Sequence, residues 1–195
     1  MLPAPMTRRS VPRPRRLHVL GASGAGTTTL GRDLAAALQL GHFETDDFFW
    51  APSDPPYHVK RAPEQRLSLL REALVDGDGW VLSGSLCGWG DPLMAEFDAV
   101  IFVTLPTPLR LERTRQRERA RFGAQLDEGG AMHRRQLDFM AWSAGDDDPA
   151  SSVGRSRLVH EAWLARLSCP VVRVDNAGTQ ADTLGEVLAR LSALP

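Results

Sequence analysis

The stretch GASGAGTTTLG, from Gly21 to Gly31, nearly spells G-x-x-x-x-G-K-[ST], the pattern of a phosphate-binding loop. Gly21, Gly26 and Thr28 fall on it, and Thr27 stands where the lysine belongs. The candidate phosphate contacts are Gly21, Ser23, Gly24, Ala25, Gly26, Thr27, Thr28 and Thr29. The amides from about Gly24 to Thr28 open a helix, where backbone donors and the helix dipole both favour an anion. Thr28 offers a hydroxyl to magnesium, and Thr29 reaches an inner phosphate. A glycine-rich turn without a ligand is the alternative, and the missing lysine is its main support.

Phosphate chemistry needs cations, and the chain supplies them elsewhere. Arg110, Arg113, Arg117 and Arg121 are spaced 3, 4 and 4 and share one helix face. Guanidinium forks suit phosphate oxygens. Arg155 and Arg157 form a second supply. The competing reading is a solvated face paired to Glu112 and Glu118, which Arg115 and Arg119 on the other side are taken to be. In ETDDFFW, Asp46 and Asp47 end a strand, where either could accept a proton from an acceptor hydroxyl or hold magnesium through water; a helix or turn cap is the plainer role. Phe48, Phe49 and Trp50 read as packing under a lid. Gly84 and Ser85 follow a strand where a ligand would meet it, while Tyr57, His58, Lys60, Arg61 and Arg66 could grip an acceptor. Asp146 to Asp148 read as a lid latch or a solvated acidic loop.

Alternating elements must position these groups. RLHVLG reads as a buried strand, Thr28 to Leu40 as a helix closed by Gly41, and HFET as a second strand. Residues 51–62 read as a proline-rich loop, PEQRLSLLREALVDG as a helix opened by Pro63, and WVLSG, DAVIFVTL and CPVVRVD as further strands. Helices are predicted at about 106–122, 131–143, 155–168 and 180–193. Strands alternating with helices mean a parallel sheet covered on both faces. Residues 1–15, rich in Pro and Arg, read as a disordered tail, leaving 16–195 as one domain.

Composition narrows the function classes. A chain of 195 residues suits one domain that buries roughly 70% of its unfolded surface. The formal charge of −1 gives no global field for nucleic acid or membrane. No apolar run approaches the ~20 residues that cross a bilayer, so a cytoplasmic protein is expected. Cys87 and Cys169 match no metal or redox spacing and read as small buried hydrophobes. Lys60 is the sole lysine among 23 basic residues. Drift toward arginine would have turned a loop lysine into arginine, so Thr27 is a chemical change of its own.

Three segments extend the loop into a family resemblance. WVLSGS resembles the third strand of adenylate-kinase-like proteins, LRLERTRQRERARFG resembles the arginine-rich helix leading into their lid, and DDDPASSVGRSRLVHEAWLARLSCPVVRVD resembles their closing stretch. The chain resembles a small phosphotransferase of the nucleoside-monophosphate-kinase type within the P-loop NTPase superfamily. That resemblance implies an α/β three-layer fold, with a five-stranded parallel sheet in order 2-3-1-4-5, helices on both faces and a small lid. It implies an acceptor-binding segment at about 46–76 and a lid at about 117–155. It also implies ATP and Mg2+ as cofactors, a small-molecule or nucleotide acceptor, and a monomer or homodimer. By the same resemblance Arg117, Arg121, Arg113, Arg157, Arg155 and Asp47 are the catalytic candidates, Asp46, Asp47, Arg61, Gly84 and Ser85 bind the acceptor, and residues near Asn176 back the adenine. Thr27 departs from the pattern, and so does Ser83, where the third strand often ends in a magnesium-holding aspartate. A nucleotide-binding module without catalysis and a nucleotide hydrolase are the alternatives.

Overall fold

The structure, a computed structural model, describes residues 14–75, 78–147 and 156–194. Strand β1 (Arg16–Gly21) is central; β3 (Trp80–Ser83) and β4 (Ala99–Thr104) pair with it in parallel. Outside them lie β2 (Gly41–Glu44) and β5 (Val171–Asp175), so the order along the sheet is 2-3-1-4-5, as the resemblance implies. The inner strands are nearly all apolar because both of their faces are covered. Leu17, Val19, Val81, Ile101 and Val103 point to the layer of α1 (Thr27–Leu38) and α7 (Gln180–Ser192). Leu20, Leu82, Val100 and Phe102 point to the other layer, with α3 (Pro63–Leu74) and α6 (Arg157–Leu164). Helices α4 (Thr107–Phe122) and α5 (His133–Ala144), joined through a 3₁₀ turn at Gly123–Leu126, carry the small lid.

Three local features differ from the expected pattern. Helix α1 ends at Gln39, whose left-handed φ of 57° returns its amide to the Ala35 and Ala36 carbonyls, and Gly41 instead opens β2. Asp46 and Asp47 sit on a short helix, α2 (Thr45–Phe49), rather than on a strand end. The proline-rich loop contains a two-residue antiparallel ladder, Trp50–Ala51 against Val59–Lys60. Residues 1–13 of the expected tail lie outside the described residues, while Arg15 donates its backbone N–H to Asp98 Oδ2 at 2.7 Å. Neither cysteine forms a disulfide, and both are half-buried rather than buried. No described helix is long and apolar enough to cross a membrane.

His18, on β1, is fully buried against Phe97 and Trp163. Its Nδ1–H donates to the Leu82 carbonyl at 2.9 Å, and its buried Nε2 has no partner among the described residues. Burial lowers its pKa from 6.5 to about 4. Between those values the unfolded chain binds a proton that the folded chain refuses, so stability present above pH 6.5 is lost as pH falls toward 4. Urea unfolding should therefore show a loss of about 2 kcal/mol between pH 6.5 and about pH 5 from this residue. His18→Gln should flatten that part of the pH profile.

Candidate functional site

The phosphate loop is pressed into its shape from three sides. A Cβ on Gly21 would lie 2.5 Å from the Val103 carbonyl oxygen of β4. At Gly24, with φ of +80°, it would lie 2.3 Å from the Arg110 carbonyl oxygen of α4. At Gly26, with φ of +98°, it would lie 2.4 Å from Asn176 Nδ2, just beyond β5. No side chain caps α1, its first turn holds no acid, and its first internal bond runs from the Leu30 amide to the Gly26 carbonyl at 3.0 Å. The Thr27, Thr28 and Thr29 amides are thus left for an anion. Ala25 is buried beneath the loop, while Gly21, Ser23, Gly24, Gly26 and all three threonines line a cleft of about 1180 Å³.

Two buried side chains lock the loop in place. Arg110, 1% exposed, donates to the Ser23 carbonyl at 3.0 Å and pairs with Asp146 at 3.2 Å and Asp147 at 2.9 Å. Helical spacing put Arg110 on the ligand-facing arginine stripe; the structure instead places it underneath, as a clamp joining loop, α4 and the end of the lid. Burial alone would raise the Asp147 carboxyl, but hydrogen bonds from Thr107 and Arg110 outweigh it and hold the group low. Asp146 and Asp147 are therefore tied to Arg110 rather than left as a solvated loop; Asp148 lies outside the described residues. Asn176 is the second lock: its Nδ2 donates to the Ala25 carbonyl at 2.8 Å and its Oδ1 accepts from Thr183 at 2.9 Å.

Glu44, which the sequence reading missed, brings a carboxylate within hydrogen-bond reach of the loop. Thr28 Oγ1 donates to Glu44 Oε2 at 3.2 Å, and Arg32 approaches Glu44 Oε1 at 3.3 Å. Ser83, directly opposite Glu44 in the sheet register, is buried and bonded to His42 Nε2 at 3.0 Å. An acid at the carboxyl end of β2, one strand over from Ser83, was the signal available. Asp46 lines the cleft, whereas Asp47, one helical step on, is absent from its lining. Burial and then the Glu44 and Asp46 carboxylates push the Asp47 carboxyl up.

The remaining candidates divide cleanly. Arg113, Arg117 and Arg121 line the cleft. Arg113 donates to the Asn176 carbonyl at 3.1 Å, Arg117 pairs with Glu118 at 2.9 Å, and Arg121 lies 5.0 Å from the Tyr57 ring centre. Arg157 lines a separate cavity of about 270 Å³ with Arg110, Asp147 and His160, and Arg155 lies outside the described residues. Gly84 and Ser85 border the cleft, with Lys60 and Arg66. Arg61 does not; its Nη1 turns under α2 and donates to the carbonyls of Asp47 at 2.8 Å, Phe48 at 3.2 Å and Trp50. Cys87 also lines the cleft.

Removing Arg110 strips the Asp146 carboxylate of its buried guanidinium and frees the loop carbonyl at once. Arg110→Ala should cost about 3–5 kcal/mol in urea unfolding. A loss under about 1 kcal/mol would mean that the clamp is not a stabilising contact.

Comparison with known proteins agrees with this geometry. A family model described as an AAA domain matches residues 18–127. The protein YqaC of Bacillus subtilis (strain 168) is 38% identical over 179 residues, covering 92% of this chain and 98% of its own. A cytidylate kinase of Haloarcula marismortui is 28% identical over 118 residues, covering 54% of this chain and 60% of its own. Among solved structures, a shikimate kinase from Bacteroides thetaiotaomicron superposes with a TM-score of 0.54 at 16% identity, covering 93% of this chain and 99% of its own. A gluconokinase from Sinorhizobium meliloti 1021 superposes with 0.51 at 20% identity, covering 95% and 94%. Loop, sheet order and lid together give the fold of the small P-loop kinases, and the chain belongs to the AAA-domain family.

Proposed function

We propose that the protein is an ATP-dependent kinase that transfers the terminal phosphoryl group to a small-molecule hydroxyl or a nucleoside monophosphate. The observation that carries this reading is that the phosphate loop, Asp46 and the three lid arginines line one continuous cleft. The relative named cytidylate kinase and the fold neighbours named shikimate kinase and gluconokinase support the class of reaction.

The Thr28 hydroxyl and the Glu44 carboxylate are hard oxygen donors that would hold magnesium. Magnesium there supplies neutralisation of phosphate charge. The loop amides hold the inner phosphates. Asp46 takes the proton as the acceptor hydroxyl oxygen bonds to the outer phosphorus. The bond from that phosphorus to the bridging oxygen breaks, and its electron pair leaves with ADP. Arg117 and Arg121 stand on the lid arm above the loop and supply the charge that Thr27 lacks, with Arg113 on the nucleotide side. Asp46 replaces Asp47 as the base in this account, and Arg66 and Lys60 replace Arg61 at the acceptor. Thr27 itself supports a second reading, in which the protein binds nucleotide without transferring phosphate.

Calorimetry should detect magnesium-ATP binding, and Glu44→Gln should weaken the magnesium dependence of that binding. Thr27→Lys should tighten triphosphate binding, because a lysine there carries three charged donors on an already shaped loop; weaker binding would mean that the loop is built around threonine.

The two readings part on the lid. Arg117→Ala should lower kcat roughly a hundred- to a thousand-fold while leaving ATP affinity nearly unchanged. Arg115→Ala, at a side chain paired only with Glu112 on the far face, is the control. Arg119 is unsuited to that purpose because it holds the lid turn through the Gly123 carbonyl and Asp127. Equal small effects from Arg117→Ala and Arg115→Ala would favour binding without catalysis.

A further inference from the structure

The orientation of one short helix decides which acid faces the phosphate loop. Helix α2 turns Asp46 into the cleft and Asp47 out of it. Neighbouring residues on a helix point about 100° apart, so a modest rotation of α2 would exchange the two. A helix of five residues is not stable alone, and its last carbonyls have no partners within it. Its orientation is therefore imposed from outside.

Arg61 does most of this. The Trp50 amide returns to the Asp46 carbonyl, and the next four carbonyls, Asp47 to Trp50, all meet Arg61. Its backbone N–H donates to the Phe49 carbonyl at 3.0 Å. Its Nη1 is shared among the carbonyls of Asp47 at 2.8 Å, Phe48 at 3.2 Å and Trp50. A positive group at the carbonyl end also suits the helix dipole. Arg61 is itself held from the start of α3, where Arg66 Nε donates to the Arg61 carbonyl at 2.7 Å and the Arg66 guanidinium lies 3.8 Å from the Phe49 ring centre. At the opposite end of α2, buried Thr45 packs on Gly84, whose φ is +113° and where a Cβ would run into Thr45 Oγ1. The helix is thus seated at both ends, and Arg61 provides the donors that its carbonyl end lacks.

Resting on the kinase reading of this cleft, we infer that Arg61 is a positioning residue for phosphoryl transfer, whose grip on the α2 carbonyls keeps Asp46 aimed at the phosphate loop. Arg61 does not line the cleft, so its effect on the reaction passes through α2. A lysine brings three donors to the same carbonyls, whereas a methionine of similar length brings none.

The test follows ADP release from magnesium-ATP by the full chain, with CMP, gluconate and water offered in turn as the acceptor. With whichever gives the fastest turnover, Asp46→Asn should lower kcat at least about a hundredfold and Arg61→Met about ten- to a hundredfold. The affinity of Arg61→Met for a non-hydrolysable ATP analogue should be unchanged by calorimetry. In the Asp46→Asn background Arg61→Met should have no further effect on kcat, a coupling that a general loss of stability does not produce. Arg61→Lys should recover most of the rate. Arg61→Gln takes the place of Arg61→Met in this cycle should the latter fail to fold by circular dichroism. Hydrogen exchange across residues 45–51 should quicken in Arg61→Met, with the phosphate-loop peptide unchanged. Undiminished turnover in Arg61→Met, equal losses in both backgrounds, or unaltered exchange across α2 would overturn the inference and leave the kinase reading in place. No ADP release by the unsubstituted protein with any of the three acceptors would remove the kinase reading, and the role of Arg61 in the reaction with it.

Discussion

One buried guanidinium organises the molecule's working end. Arg110 reaches the Ser23 carbonyl of the phosphate loop, the start of α4 through Thr107, and the end of the lid through Asp146 and Asp147. Its two terminal nitrogens carry all of these contacts while the buried Nε has no partner among the described residues, and a charge so deeply buried is costly to strip of its ion partners. The same residue's backbone carbonyl is what Gly24 packs against. The curvature of the loop and the root of the lid are therefore set by a single residue, and Asn176 repeats the device from the β5 side.

Around that clamp the charges of the site are rearranged relative to the expected pattern. The loop lacks its ammonium at Thr27, and the end of β3 lacks its carboxylate at Ser83. A carboxylate is present one strand over, at Glu44, within hydrogen-bond reach of Thr28. Cations are present on the lid, at Arg113, Arg117 and Arg121. Each missing charge thus has a counterpart on a neighbouring element.

Much of this was legible in the residues. The apolar strands, the glycine spacing and the helix starts are legible because each follows from local steric or burial rules, whereas the order of the strands came from the family resemblance. What stayed hidden was depth. A 3-4-4 spacing shows that Arg110 and Arg113 share a face, but not that the first is sealed under the loop and the second open to the cleft. Two adjacent aspartates look equivalent until a short helix turns Asp46 into the cleft and Asp47 away from it. Arg61 reads like an anion grip, yet the carbonyl end of α2 claims it first. Glu44 carries no motif of its own, and only the fold brings the end of β2 against Thr28.

The arginine-dominated composition has a practical consequence at the acceptor side. Lys60 is the only lysine in the chain, and it stands in the cleft beside Trp50. Apart from the chain's own α-amine, this is the single site open to an amine-directed reagent. One acylated side chain can therefore be read by mass spectrometry as a footprint of the pocket. A bound molecule that covers Lys60 registers as protection at one peptide, with no engineered label and no competing signal from any other side-chain amine.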